Sequence, residues 1–493
     1  MTLGQRIRSG VAWLMFGNTG SQVLQFLFGI ALARLLLPAD FGMVATIHIL
    51  TGIVTLLSSG GMAQSLIRAK AADEADFNVV FTLQLAIGVL ICIGVFAIAP
   101  WFARFFGNPL YVDLLVVSAL NFLLRPFAMI RQAWLNRRMD FRIIATTTLT
   151  TTLISQVTSV TLAVLGFGVW SLLLGGLVAA FSLNVLLYRA VPLRLELRLD
   201  AAVLRRHAAF GVGITVLDLL GHLRVQAITL ILSKLAGPTV VGLFNKAENL
   251  ARTPNRLITP PTGRVVFRAL SSVADDLDKS RYIFFRTVTL LSVYVFPVLV
   301  ALIWIAEPAI GFLYGANWLP AADPLRIMAF SGFFLTTSRP CSVLLEAQGR
   351  LRASIAVTAF CTVLGIVACL VGLQWGLEGV AWGVVVTHVV NFALLYAAVT
   401  RTIQVRVADL GRAVAPAAVL NALLFVALAM LHFAIAGLRD AAPFAYLVLM
   451  GSAGGAAYAA AFVFLPFEAL KGEAERWRGR FAAVLRAGRP RRD

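Results

Sequence analysis

Apolar residues arrive in long blocks along this chain, and short charged connections separate the blocks. Runs of about 20 apolar residues, enough to cross a bilayer as a helix, recur fourteen times between positions 11 and 466. The weakest, 240–263, contains NKAENLARTPNR at 245–256, with Lys246, Glu248, Arg252 and Arg256. Elsewhere the basic residues sit in connections: Arg137, Arg138 and Arg142 in one, Arg205 and Arg206 in another, and a cluster in the tail. With both termini in the cytoplasm, most of the 42 Lys and Arg residues fall on that side, as the positive-inside rule requires. Arg34, Arg104, Lys234, Arg326 and Arg439 lie near the outer face. Omitting span 240–263 would invert every later connection and send the basic tail outside, so the charged stretch is predicted to cross.

Self-comparison points the same way. At an offset of 200, ARLLLPADFG (33–42) matches SKLAGPTVVG (233–242), pairing Arg34 with Lys234, Pro38 with Pro238 and Gly42 with Gly242. Further on, APWFARFFG (99–107) matches EPAIGFLYG (307–315), and Arg125-Pro126 matches Arg339-Pro340. The pattern predicts an all-α polytopic membrane protein of 14 transmembrane helices. Two six-helix lobes are related by a pseudo-twofold axis along the membrane normal, with two C-terminal helices added. The expected boundaries are 1–206 for the N-lobe, 207–405 for the C-lobe, 406–467 for the last two spans and 468–493 for a basic amphipathic cytoplasmic tail.

Helical periodicity gives several spans one polar face. In 240–263, Asn245, Glu248, Asn249, Arg252 and Arg256 share an arc of about 100°, with Leu243, Ala247, Ala251 and Pro254 opposite. Asn18, Gln22 and Gln25 align in the first span, and His48 with Thr51, Thr55 and Ser59 in the second. Asn121, Arg125 and Gln132 lie in the fourth span, Asp218 and His222 in the seventh, and Arg339 and Glu346 in the tenth. Charges in a bilayer should face a cavity or partners, so these faces are expected to line a water-filled lumen between the halves. Interhelical hydrogen bonding is the other use of such stripes, and an internal salt bridge of Arg252 and Arg256 with Glu248, or of Arg339 with Glu346, the other use of those charges. Six basic residues fall within spans (Arg125, Arg224, Lys246, Arg252, Arg256, Arg339) against Asp218, Glu248 and Glu346. A lumen with that excess attracts anions, and arginine suits phosphate through paired, charge-assisted hydrogen bonds.

Composition sharpens this picture. The chain is 60% hydrophobic and 13% charged, far from the balance of a soluble domain. Its net charge of +19 sits in connections and tail rather than on a soluble basic surface, which excludes nucleic acid as partner. Cys92, Cys341, Cys361 and Cys369 fall in apolar runs without metal-ligand spacing, and read as small buried hydrophobes. His388 and His432 are lone histidines on apolar faces. The first 33 residues resemble a signal peptide only superficially, because Asn18, Ser21, Gln22 and Gln25 interrupt the apolar run. No nucleophile–base pair, metal motif or phosphate-binding loop appears, so the expectation is a non-enzyme without a cofactor. In the tail, Phe467, Leu470, Ala474, Trp477, Phe481 and Leu485 recur at helical spacing among Lys and Arg. That predicts a helix on the anionic cytoplasmic surface, with docking to a partner protein as the alternative.

Five motifs in order carry a resemblance: ARLLLPADFG, NRRMDFR, FRALSSVADD, EPAIGFLYGANWLPAADPLRIMAF and LEAQGRLR. Over nearly the whole chain they resemble the polysaccharide transporter branch of the multidrug/oligosaccharidyl-lipid/polysaccharide exporter superfamily, the Wzx-like O-antigen and exopolysaccharide flippases. The resemblance implies a multi-pass protein of the bacterial inner membrane, with a polysaccharide polymerase or glycosyltransferase as the tail's alternative partner. It would move undecaprenyl-pyrophosphate-linked oligosaccharide units to the periplasmic leaflet by alternating access. Arg252, Arg256 and Arg125 match by position the cations that hold the pyrophosphate, with Arg339 and Lys246 beside them. Asp218 with His222, or Glu248, would carry a coupling ion from a proton or sodium gradient. The family's acidic residue in the second half of the seventh span has no counterpart here, where the chain reads RVQAITLIL. A peptidoglycan-precursor (lipid II-type) flippase shares the fourteen spans and cationic cavity. A cation-coupled small-molecule exporter requires an acid-dominated lumen, and a scaffold gives no reason to bury six basic residues.

Overall fold

A computed structural model describes residues 3–59, 66, 74–200, 219, 221–465 and 467–487. The chain is nearly all helical, as a polypeptide in lipid must be when no water satisfies its backbone groups. The first helices are α1 (Leu3–Leu35), α2 (Pro38–Ser59), α3 (Glu74–Phe106), α4 (Leu110–Arg138), α5 (Phe141–Val164) and α6 (Val169–Ala190). After them come α7 (residues 221–235) and the long α8 (Gly237–Ser271). Then follow α9 (Leu277–Tyr314), α10 (Ala322–Ala347), α11 (Leu351–Gly372), α12 (Gly376–Ile403), α13 (Val407–Ala434), α14 (Pro443–Phe464) and α15 (Lys471–Ala487). Among the described residues, eight helical stretches are long and apolar enough to cross a membrane; one of these, Leu351–Ile403, joins α11 and α12. The polar-faced helices α1, α5, α8 and α10 fall outside that set. The NKAENLARTPNR stretch is helical throughout, and α8 runs unbroken through Pro254, Pro260 and Pro261. The expected lobe boundary at 206/207 and Asp218 lie outside the described residues.

Two compact units divide the chain, 1–243 and 244–493. In the first, α1 lies along α5 through small residues, Gly17 against Ala145 and Gly20 against Leu149, the close packing that stabilises helices where lipid offers no hydrophobic drive. The threonines of α5 mostly bond back to their own helix, Thr147 to the Ile143 carbonyl and Thr148 to that of Ile144. Only Thr152 reaches across, donating to Ser21 Oγ at 3.4 Å. A buried cluster of Phe102, Tyr111, Leu114, Leu115 and Phe122 joins α3 to α4. Where α2 begins it meets the first turn of α8, with Gly42 against Pro238 and Gly242 against Pro38. Nearby Thr46 Oγ1 and Ser233 Oγ share a 2.8 Å hydrogen bond, and Lys234 donates to the Phe105 carbonyl.

In the second unit α9, α10 and α12 pack side by side with Phe296, Leu299, Ala329 and Val384 buried. The motifs matched in the repeat end alike: α3 stops at Gly107 with φ +72° and α9 at Gly315 with φ +92°. Glycine enters that left-handed region without the Cβ penalty that other residues incur. After α9, Trp318 is fully buried. The Glu307 carboxylate takes both Arg326, at 3.1 Å, and Arg439, joining the α13–α14 connection to α9 and α10. His432 bonds Tyr446 Oη at 2.8 Å. The tail departs from the surface-lying expectation in its first turns. Leu470 and Ala474 are buried against α9, α13 and α14, and Trp477 donates to Tyr294 Oη at 3.3 Å. Arg286 of α9 pairs with Glu473 at 3.1 Å. Its apolar stripe is spent on the protein there; the side chains of Phe481 and Leu485 lie outside the described residues.

Candidate functional site

Helix α8 is amphipathic inside the second unit. Ala247, Ala251 and Pro254 are buried, while Asn249, Arg252 and Arg256 are exposed and Asn245 and Glu248 half-buried. These exposed and half-buried residues are the ones that periodicity set on one face. Arg252 Nη2 lies 3.1 Å from Glu248 Oε1 one turn earlier, with the two side chains 45% and 24% exposed. Arg256, a further turn along, makes no ion pair with an acid among the described residues. One face of one helix therefore presents two guanidinium groups a turn apart, and a single carboxylate offsets only one. A guanidinium donates from a rigid planar fork that matches the oxygens of a phosphate. Two of them, about 6 Å apart along a helix, suit a pair of linked phosphates better than a lone carboxylate.

Lys246 stands elsewhere on the helix. Its ammonium lies 4.1 Å from the centre of the Tyr314 ring and 5.3 Å from that of Trp318, an arrangement that stabilises a desolvated cation. Asn255 is in the same charged stretch yet is only 6% exposed. Its Oδ1 accepts from Thr336 Oγ1 at 2.6 Å and its Nδ2 reaches the Gly332 carbonyl at 3.5 Å, fastening α8 to α10. Arg339, on α10, lies 3.9 Å from Glu346 with its side chain 52% exposed.

The remaining predicted residues belong to the first unit. Asn18, Gln22 and Gln25 are exposed along α1. Arg125 is half-buried on α4 between Asn121, whose amide donates to the Ser118 carbonyl, and Gln132, whose carbonyl accepts from Asn136. His48 is exposed on α2, its Nδ1 3.5 Å from Thr51 Oγ1. His222 of α7 packs its ring onto Gly52, with Nε2 3.3 Å from the Ile49 carbonyl.

Periodicity passed over three groups. Arg131 is only 5% exposed, donates to the Phe127 carbonyl at 3.2 Å and lies over the Tyr188 ring; its place near the end of a span hid it among connection cations. Ser331 and His388 share a 3.1 Å hydrogen bond beside Glu248 and Arg252. Neither has a neighbour of its kind at helical spacing, so no pattern along the chain signalled them.

Fold and site together define a polytopic membrane protein with a cation-rich helix face, and solved structures share its fold. The lipid II flippase MurJ, inward closed, superposes with a TM-score of 0.71 at 14% identity, over 90% of this chain and 96% of that one. An inward-facing multidrug resistance MATE family transporter of the MOP superfamily follows at 0.60 and 14%, over 79% and 99%. A family model described as polysaccharide biosynthesis protein matches residues 31–323. The chain belongs to that family. Among its relatives is the lipopolysaccharide biosynthesis protein WzxC of Escherichia coli (strain K12), 24% identical over 80% of this chain and 81% of the relative. The succinoglycan biosynthesis transport protein ExoT of Rhizobium meliloti (strain 1021) is 26% identical over 68% and 67%.

Proposed function

We propose that this protein is a flippase for undecaprenyl-pyrophosphate-linked oligosaccharide units, carrying them across the bacterial inner membrane by alternating access. The observation that carries this is the pair Arg252 and Arg256, a turn apart on the exposed face of α8, with Glu248 the one acid paired to either among the described residues. The relatives named for lipopolysaccharide and succinoglycan biosynthesis support the substrate class. In this reading the diphosphate sits on Arg252 and Arg256, with Arg125 and Arg339 as further contacts. Lys246 adds positive charge from its seat on the two rings. Asn18, Gln22, Gln25, His48, Asn121, Gln132, Asn245 and Asn249 face the sugars, and the lipid tail stays in the bilayer. Asp218 with His222, or Glu248, serves ion coupling. Fourteen spans, grouped six, six and two, then leave both termini in the cytoplasm.

The test is export of cell-surface polymer by Arg252→Ala and Arg256→Ala variants that reach the membrane at normal levels. Loss of export by tenfold or more, about 1.4 kcal/mol of lost binding, is expected for each. Normal export by both sinks the diphosphate site.

A further inference from the structure

VPLRLELRLD, residues 191–200, follows α6 with valine or leucine at every second position. It is neither helix nor strand, yet two side chains of α3 hold one edge of it. Asn78 Oδ1 accepts from the Glu196 N–H at 3.1 Å, and Thr82 Oγ1 from the Arg198 N–H at 2.8 Å. The spacing fits an extended chain, because four residues of helix and two of extended chain each advance about 6 Å. Val191 and Leu193 are buried with Phe77 and Leu187, and Leu195 packs partly against them. Leu197 and Leu199, next on the same face of the segment, are 74% and 82% exposed. On α3, Asn78 and Thr82 share an arc of about 60° with Val89, Ile93 and Phe96. Those three are exposed, on a helix long and apolar enough to cross a membrane, whereas Asn78 is buried where the segment crosses it.

We propose that residues 191–200 form a strap at the boundary of headgroups and acyl chains beside α3, with Leu197 and Leu199 inserted into the leaflet. The face of α3 sets the lateral contact: the strap covers its first turns, and the exposed apolar residues of its later turns continue the same surface into lipid. Backbone chemistry sets the depth. The N–H groups of Glu196 and Arg198 are satisfied by α3, but those of Leu197 and Leu199 point the other way and bond no described residue. Hydrocarbon would leave them without partners, whereas the headgroup layer supplies water. Helix α3 is about 50 Å long, more than a bilayer with its headgroups, so its first turns stand in that layer. Charge does not choose the partner, because Glu196 and Asp200 offset Arg194 and Arg198 on the alternate face. Apolar burial drives the contact, and the strap owes nothing to the diphosphate site.

The experiment uses the full chain in phosphatidylcholine nanodiscs. Glu196→Cys, Leu197→Cys, Arg198→Cys and Leu199→Cys are each labelled with an environment-sensitive fluorophore. All four positions are exposed, and the native Cys92, Cys341, Cys361 and Cys369 are buried, so the unsubstituted chain gives the background. Quenching is read with a lipid carrying a nitroxide high on its acyl chain, and separately with aqueous iodide. The expected result alternates with a period of two. Labels at 197 and 199 are quenched by the lipid at least about twofold more than those at 196 and 198, and iodide reverses the order. Adding anionic lipid should leave the pattern unchanged. Asn78→Ala with Thr82→Val should blur the alternation, since the edge is then unheld. Equal access of iodide to all four labels overturns the insertion. Protection of 197 and 199 from both quenchers overturns it too, by showing that protein covers that face. Lipid quenching that appears only with anionic lipid overturns the apolar drive, and an alternation untouched by loss of Asn78 and Thr82 overturns the clasp on α3.

Discussion

Gly42 and Gly242, two hundred positions apart, stand where a Cβ on either would overlap backbone: Gly42 meets the Pro238 carbonyl and Gly242 that of Pro38. The contact is closed under the offset that relates the sequence repeat, since exchanging the two segments returns the same pair of contacts. Gly42→Ala and Gly242→Ala should each destabilise by about 1–3 kcal/mol through overpacking. The double variant should cost less than the sum, because the segments need part only once. Thermal unfolding of purified protein measures both.

For Arg252, lysine should substitute poorly. An ammonium keeps the charge and can still pair with Glu248, but it loses the planar fork. Arg252→Lys is expected to export measurably more polymer than Arg252→Ala and at least several-fold less than the parent. Recovery to parental export would show that charge alone suffices.

Lys246 should behave differently from its arginine neighbours. Its ammonium is engaged by Tyr314 and Trp318, so Lys246→Met should lower stability by about 0.5–2 kcal/mol. Trp318→Leu should reduce the effect of that substitution, as a double-mutant cycle on unfolding midpoints would reveal.

Asn255 and Thr336 form a buried pair joining α8 to α10. Removing one partner leaves a buried polar group unsatisfied, at a cost of about 1–3 kcal/mol. Asn255→Ala should therefore reduce folded protein in the membrane, while export per folded molecule stays unchanged. A fall in export at constant folded protein would assign Asn255 to the substrate instead.

In the tail, Glu473 and Arg286 are 17% and 28% exposed, so their pairing should contribute no more than about 1 kcal/mol. Removal of residues 471–493 should cost more, because it uncovers the apolar surface where Ala474 and Trp477 pack. Comparing unfolding temperatures of Glu473→Ala and the truncated chain tests that order.

Much of the fold was legible along the chain, because lipid allows so few ways to satisfy a backbone. Twenty apolar residues between charged connections leave the helix as the outcome, and the 3.6-residue period then assigned α8 its polar face. Arg252 and Arg256 could be placed there from angles alone, since both depend on one helix. The same angles were silent on Asn255, which lies at the margin of the polar arc and turns inward because Thr336 of another helix offers a partner. They equally could not set Lys246 on its rings.

What the sequence determined by itself is the membrane class, the offset-200 repeat and the cationic stripe, all properties of a single segment or of segments compared. Tertiary structure alone decided which neighbours those segments meet. Gly42 against Gly242, the tail's first turns against α9, and His388 beside Glu248 and Arg252 each join residues far apart in the chain. Helical periodicity fixes the direction of a side chain about its own axis. It carries no information on what another helix brings to that side.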